Sequence, residues 1–115
     1  MRLILIFSLS LCASCVSSPD AEAHRLALWN FHYEADKANE WRIYDRIDRT
    51  FFGDCEDFSL SLQKVIGGDV WYVHNGGAAA HSALVKNGIV YDSLSRYPIP
   101  KGQYKGRFIY IMRAE

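Results

Sequence analysis

The sequence lacks an excess of charge of either sign. Its 115 residues carry 13 Lys and Arg against 13 Asp and Glu, and the basic residues do not form a cluster. A protein that binds nucleic acid needs such a cluster to neutralise phosphates, so the composition argues against that class. Internal repeats and low-complexity segments are also missing, while half of the residues are hydrophobic. The chain is therefore suited to one small packed domain and not two.

Paired metal ligands are scarce as well. Beyond residue 15 the sequence has no CxxC or HxxxH spacing, although such pairs are typical of zinc sites. The sequence offers one alternative set of metal ligands, made of Asp54, Cys55, Asp57 and His81. We predict that the protein uses no metal and no other cofactor.

The first fifteen residues, MRLILIFSLSLCASC, carry an apolar run that is too short to span a bilayer as a permanent helix. A positive start at Arg2 followed by such a run is typical of an export signal. The ending resembles the lipobox of bacterial lipoproteins, in which small residues precede a cysteine that becomes lipidated. We expect export to the bacterial cell envelope and a lipid anchor at Cys15, with ordinary signal cleavage or a retained anchor as alternatives. The domain then comprises residues 16–115.

Cysteine is rare, with three residues in the chain. Signal removal would take away Cys12, and lipidation would consume Cys15. Cys55 would then be the one free thiol in an oxidising compartment, with no partner for a disulfide. An unpaired thiol in that setting favours a chemical role, whereas a buried structural cysteine is the alternative.

Hydrophobic periodicity divides the domain into helices followed by strands. Spacings of three and four predict helical structure over 21–47, with a break near 36–39. A further helix is predicted over 55–66, ended by Gly67-Gly68. Runs rich in β-branched and aromatic residues predict strands over 70–74, 81–85, 89–94 and 107–112. This order predicts an α+β fold, with N-terminal helices packed on an antiparallel sheet.

The pair Asn87-Gly88 lies between two of these strand-like runs and is a strong signal for a hairpin with a type I′ turn. Such a turn fixes the pairing of the two strands. His81 and Asp92 become diagonal neighbours on one face of the sheet, close enough for a hydrogen bond between imidazole and carboxylate.

Two apolar surfaces are expected to meet in the core. Val85 and Val90 share the face of His81, so we expect this face of the sheet to pack on the helices. The helix that starts at Cys55 has an apolar side of its own, which continues through Phe58, Leu62, Val65 and Ile66. Packing of the two surfaces would bring the thiol close to the imidazole.

A cysteine, a histidine and an aspartate in contact can form a nucleophilic site. A free thiol has a pKa of about 8.5, and a helix N-terminus and a neighbouring imidazolium both favour its thiolate. An aspartate orients the ring and stabilises its charged form. Asp54, Glu56 and Asp57 oppose negative charge on the sulfur. Asp54 and Asp57 are, however, suited to a capping box at the helix start.

The segment GDCEDFSLSL at 53–62, a histidine at the start of a strand and VYDS at 90–93 together resemble the bacterial transglutaminase-like cysteine peptidases. These belong to the papain-like, transglutaminase-core group, whose fold the resemblance also implies. It further implies that Cys55 is the nucleophile, His81 the general base and then acid, and Asp92 the residue that orients the histidine. The implied reaction is attack on an amide carbonyl, loss of an amine and resolution of a thioester.

Other assignments stay open on the sequence alone. His74 is a rival base, and Asp92 could instead cap the turn that follows it. His24 and His32 are expected to be surface or packing residues. The expected substrate is a peptide, protein or peptidoglycan amide, with hydrolysis or acyl transfer to an amine as the outcome. The runner-up function is a catalytically weak or inactive domain of the same fold that binds a partner at the envelope.

Overall fold

The computed structural model describes residues 18–35, 41–74 and 81–113. The predicted export signal and the predicted lipidation at Cys15 lie outside these residues. Within them, no helix has the length and apolar character needed to cross a bilayer. In chain order the elements are α1 (Pro19–Asn30), β1 (Phe31–Tyr33), β2 (Phe51–Gly53), α2 (Cys55–Ile66), β3 (Asp69–His74), β4 (His81–Lys86), β5 (Ile89–Tyr91), β6 (Ile99–Pro100), a 3-10 turn (Lys101–Gln103) and β7 (Arg107–Ile111).

Five of the strands form one antiparallel sheet in the order β6-β5-β4-β3-β7. Both helices contribute to the main hydrophobic core with this sheet, so the predicted α+β class is confirmed. The most buried members of that core are Ala27, Phe51, Phe58, Leu60, Leu62, Val70 and Leu84. Since α2 contacts the central strands β3 and β4, its first turn lies near the middle of the sheet.

Local sequence signals fix both ends of α2. The Asp54 carboxylate accepts the backbone N–H of Glu56 at 3.1 Å and of Asp57 at 3.2 Å. The Asp57 carboxylate accepts the N–H of Asp54 in return, at 3.0 Å, which completes the predicted capping box. Gly67 has φ +82°, a backbone conformation that favours glycine, and it ends the helix where predicted.

The prediction that helical structure continues to residue 47 is wrong, because residues 41–50 have no regular structure. Their backbone donors bond to polar side chains of α2: Arg42 N–H donates to Asp57 at 2.6 Å and Tyr44 N–H to Ser61 at 2.8 Å. The spacing of apolar residues reflected insertion of this loop into the core, where Ile47 is buried, rather than a helical face. The predicted break at 36–39 lies outside the described residues.

The predicted hairpin is confirmed. Asn87 and Gly88 have φ values of +52° and +76°, as a type I′ turn requires at both central positions. Lys86 pairs with Ile89, and the register continues to the Leu84–Tyr91 pair. A two-residue turn leaves no freedom to slip, so sequence alone could set this pairing.

The expected orientation of the hairpin on the helices is wrong. Leu84 belongs to the helix-facing core, so its neighbours along the strand face the other way. That second face holds a separate cluster made of Val73, Ala83 and Val90, with Trp71, Val85, Tyr104 and Phe108 packed against it. Both faces of β4 are buried over most of the strand, although the helix-facing side carries Ser82 and Lys86 beside Leu84, so the apolar pattern of the strand pointed to the wrong face. Val65 of α2 is also half exposed, at 47%, whereas it was expected in the core.

Candidate functional site

Cys55 and His81 meet because α2 and β4 start at the same end of the domain. The Ser59 hydroxyl donates to the main-chain oxygen of Ser82 at 3.3 Å, which ties the helix to the strand. Ser59 lies one turn after Cys55, and Ser82 directly follows His81, so the two first residues come together. Cys55 helps to raise the pKa of His81, so the thiol and the imidazole are neighbours. The expected contact is present, although it arises at the ends of the two elements and not from packing of the face that was predicted.

The second link joins His81 to Asp92. The imidazole Nε2 donates to Asp92 Oδ2 at 3.1 Å, and the two side chains are only 7% and 2% exposed. The diagonal pairing derived from the hairpin therefore holds. Because Nε2 faces the carboxylate, Nδ1 is the ring nitrogen left for the thiol of Cys55.

Asp92 is held by donors on both of its oxygens. Oδ1 accepts the backbone N–H of Leu94 at 3.1 Å and of Ser95 at 2.7 Å. Oδ2 accepts the Tyr104 hydroxyl as well as the imidazole. Burial acts to raise the pKa of Asp92, but the hydrogen bonds from His81, Tyr104 and Ser95 outweigh it and hold that pKa well below its usual range. The carboxylate thus both caps the following turn and orients the imidazole, which the sequence presented as alternatives.

The electrostatics favour a charged imidazole. Burial acts to lower the pKa of His81, yet its hydrogen bonds with Asp92 and Cys55, and their negative charges, raise that pKa to about 9. At neutral pH the ring is therefore an imidazolium between a carboxylate and a sulfur. A cation in this position stabilises a thiolate and holds a proton that can be passed to a departing amine.

Two further residues support the site, and no local sequence pattern indicated either. Tyr104 reaches Asp92 from the segment before β7, and burial together with the carboxylate strongly raises the pKa of its phenol. His24 of α1 is fully buried and donates through Nε2 to the main-chain oxygen of Asp92 at 2.8 Å. Burial lowers the pKa of His24, so the ring is neutral there. Its ring packs edge-on against Phe58 and Tyr91.

The rival assignments have weaker structural support. His74 is exposed at the end of β3, whereas the ring on the buried carboxylate is His81. His32 is exposed and lies against Phe52, with ring centroids 5.3 Å apart. Across the described ranges, no three His, Cys, Asp or Glu side chains are placed to hold a metal ion. The set with Asp54 and Asp57 is not a metal cluster, because these carboxylates cap the helix.

An open pocket of about 330 Å³ adjoins the start of α2. Its described lining consists of Trp41, Glu56, Tyr72, Tyr110, Ile111, Met112 and Arg113. Glu56 directly follows Cys55 in the chain, so the pocket adjoins the first turn of α2. The sequence did not indicate this pocket, because its walls come from four separate segments.

Comparison with known proteins does not identify a family for this chain. The chain matches no protein-family model, and it matches no curated protein.

Proposed function

We propose that this protein is a thiol hydrolase that attacks an amide bond through Cys55, His81 and Asp92, with a papain-like, transglutaminase-like core. One observation carries the proposal: a thiol at a helix N-terminus neighbours an imidazole that is hydrogen-bonded to a buried carboxylate. A structural cysteine has no need of this chain of contacts, while a cysteine nucleophile depends on it.

The chemistry follows from the charges. The Cys55 thiolate attacks the amide carbonyl and forms a tetrahedral intermediate, whose oxyanion is stabilised by the backbone N–H of Cys55. His81 gives its proton to the leaving nitrogen as the C–N bond breaks, which leaves a thioester and a neutral imidazole. The imidazole then takes a proton from water as the water attacks the thioester. The acid is released, and the imidazolium is restored beside the thiolate.

The site allows a second outcome in the last step. A primary amine can replace water as the acceptor, and the product is then a new amide rather than an acid. We assign hydrolysis as the main reaction, with acyl transfer as its variant. We place the reaction in the bacterial cell envelope on a peptide, protein or peptidoglycan amide, because the sequence predicts export and a lipid anchor at Cys15.

The first test is alkylation of Cys55 by iodoacetamide at pH 6, in the full chain with Cys12 and Cys15 replaced by serine. A free thiol is only roughly 0.3% ionised at that pH. A thiolate paired with the imidazolium should react about tenfold to hundredfold faster, and His81→Ala should remove the advantage. His74→Ala is the matched control, and it should leave the rate unchanged.

The competing function is a non-catalytic envelope domain that binds a partner. It takes the place of our proposal if the parent chain and His81→Ala react at the same slow rate. A peptide-based electrophile then provides the second test, since an enzyme is captured at Cys55 by an electrophile that mimics its substrate. Labelling no faster than that of a small thiol model would argue for the binding domain.

A further inference from the structure

Three large apolar side chains are left in solvent on one surface of the domain. Trp29, near the end of α1, is 83% exposed, and Leu94 and Tyr97, in the segment between β5 and β6, are 73% and 72% exposed. All three line an open pocket of about 430 Å³. We call these three residues, together with Arg25 and Arg96 of the same lining, the Trp29 patch. Single exposed apolar residues are ordinary, whereas several on one surface mark a contact with another molecule or with a membrane.

The outer face of α1 continues the Trp29 patch. The helix exposes positions at spacings of three and four, which lie on one face: Glu22, Arg25, Leu26 and Trp29. Its opposite face enters the core, where Ala27 is fully buried. A surface helix ordinarily carries polar residues on its outer face, so Leu26 and Trp29 in that position favour a contact that covers them.

The charge of the Trp29 patch is positive. Among the described residues of the lining, Arg25 and Arg96 are charged and none is acidic. Arg25 bonds to Glu22, so its charge is matched within α1. Arg96 is exposed and forms no ion pair with another described residue, so the patch keeps one positive charge. Tryptophan and tyrosine are enriched at membrane interfaces, and arginine is attracted to anionic lipid headgroups, so this composition fits an anionic membrane surface.

The predicted lipid anchor is close to α1 in the sequence. Three residues, 16–18, separate Cys15 from Pro19 at the start of the helix. Even when fully extended, this spacing covers at most roughly 15 Å. Trp29 lies roughly 15 Å further along the helix axis. In an anchored protein α1 is therefore held near the bilayer, and its exposed face is the one available for contact.

We propose that the Trp29 patch docks on the surface of an anionic membrane to which Cys15 anchors the protein. The inference rests on the anchor in the function proposed above, and it does not depend on the reaction of Cys55. Trp29 and Tyr97 would insert their rings at the level of the headgroups, and Arg96 would pair with a lipid phosphate.

Docking of the patch would orient the whole domain. The ion pair between Asp20 and Lys86 at 2.9 Å ties the start of α1 to the hairpin, and His24 ties its middle to the main chain of Asp92. The helix therefore cannot turn without the sheet. Leu94 lies two residues after Asp92, so the docked orientation places the proposed catalytic carboxylate close to the bilayer.

The test identifies which tryptophan contacts lipid. The full chain is produced in bacteria, the lipid on Cys15 is verified by mass spectrometry, and the protein is reconstituted in vesicles of phosphatidylethanolamine and phosphatidylglycerol with brominated acyl chains. Bromine quenches the emission of a tryptophan that it contacts. The chain has three tryptophans, Trp29, Trp41 and Trp71. Trp41 is the internal control, because it lines the pocket beside β7, at the opposite edge of the sheet from β6.

The variants separate contact from charge. Trp29→Phe should abolish most of the quenching, whereas Trp41→Phe should leave it unchanged. Arg96→Gln should lower the ratio of docked to undocked protein about fivefold on these anionic vesicles, the size expected for one basic residue at such a surface. The same variant should have no effect on vesicles of phosphatidylcholine. Arg107→Gln is the matched control, since Arg107 is exposed on β7 and lies outside the patch.

Three results would overturn the inference. In the first, the parent chain and Trp29→Phe are quenched equally. In the second, Trp29 is shielded from acrylamide in water but is not quenched by bromine, because a second copy or another segment of the chain then covers the patch. In the third, the chain is recovered without lipid on Cys15, which removes the tether.

Failure of this inference is distinguishable from failure of the proposed reaction. Trp29→Phe should leave the alkylation rate of Cys55 unchanged, because Trp29 is no part of the thiol site. If His81→Ala leaves that rate unchanged as well, the thiol–imidazole function fails, whatever the contact between Trp29 and lipid.

Discussion

Replacing Asp92 by asparagine should discharge the imidazole. Asn keeps an oxygen for the N–H groups of Leu94 and Ser95 but removes the negative charge 3.1 Å from His81 Nε2. Burial of the ring lowers the pKa of His81, and the negative charge of Asp92 is a main effect that opposes this lowering. We expect the pKa of His81 to fall from about 9 by about 2 pH units, within the range known for a single close opposite charge.

The contribution of the charged His81 ring to the free energy of unfolding follows from the same pKa. A rise from the ordinary value of 6.5 to about 9 corresponds to about 3 kcal/mol of preferential stabilisation of the imidazolium. Solvent at the open side of the site, next to Cys55, screens part of this energy. We therefore expect about 1–2 kcal/mol in the measured free energy of unfolding.

The pH window follows from the sign of each shift. The pKa of His81 is raised on folding, so its contribution is complete below pH 6.5 and is lost as the pH rises through about 9. The pKa of Asp92 is lowered on folding, so its contribution is present above about pH 3.8 and is lost on further acidification. The destabilisation by Asp92→Asn should therefore be largest near pH 5–6 and smaller at pH 9.5.

Two measurements check this reasoning. Proton–carbon NMR follows the four histidine rings against pH, with His81→Ala to assign the signal. Urea unfolding at pH 6 and pH 9.5 gives the free energies. The electrostatic account is refuted if Asp92→Asn leaves the pKa of His81 within about half a unit, or if it destabilises the protein equally at both pH values.

Four further substitutions probe the packing around the site. In Gly106→Ala the new Cβ would lie 2.7 Å from Val73 Cγ1 in the second cluster, so urea unfolding should show a loss of about 1–3 kcal/mol. Gly102→Ala meets no atom within 4 Å and should change stability by less than about 0.5 kcal/mol, so equal effects of the two would contradict the packing described. Phe58→Ala empties a fully buried position and should cost about 3–5 kcal/mol by the same assay, and a cost below about 1 would refute its place in the core. Tyr104→Phe removes one donor from the Asp92 carboxylate, costs about 1 kcal/mol and should shift acid unfolding to higher pH, and an unshifted acid transition would exclude that hydrogen bond.

Features encoded by neighbouring residues were predicted well. The capping box at Asp54 and the glycine at residue 67 fixed α2, and the Asn87-Gly88 turn fixed a register that continues to the Leu84–Tyr91 pair. In each case the signal and the structure that it specifies lie within a few residues of one another, so no knowledge of the rest of the fold was needed.

Features that depend on distant partners were missed. The loop over 41–50 mimics a helix because its apolar residues enter the core, while its N–H groups bond to side chains of α2. The parallel pair β1–β2 is only three residues long on each side and has no pattern of its own. His24 lies before Asp92 in the sequence and Tyr104 lies after it. Both side chains bond to Asp92 only once the chain has folded.

The hydrogen bond from His24 sets the smallest fragment in which the site can be whole. Cys55, His81 and Asp92 all lie after residue 50, so a piece that starts at Phe51 would contain every residue of the proposed reaction. It would lack α1, whose imidazole satisfies the Asp92 carbonyl from 68 positions away. A buried carbonyl without its donor costs about 1–3 kcal/mol, beyond the loss of the apolar side of α1. The smallest fragment that keeps the site intact therefore starts at Pro19. A fragment that starts at Phe51 would contain Cys55, His81 and Asp92 but would lack the helix that holds the Asp92 backbone in position.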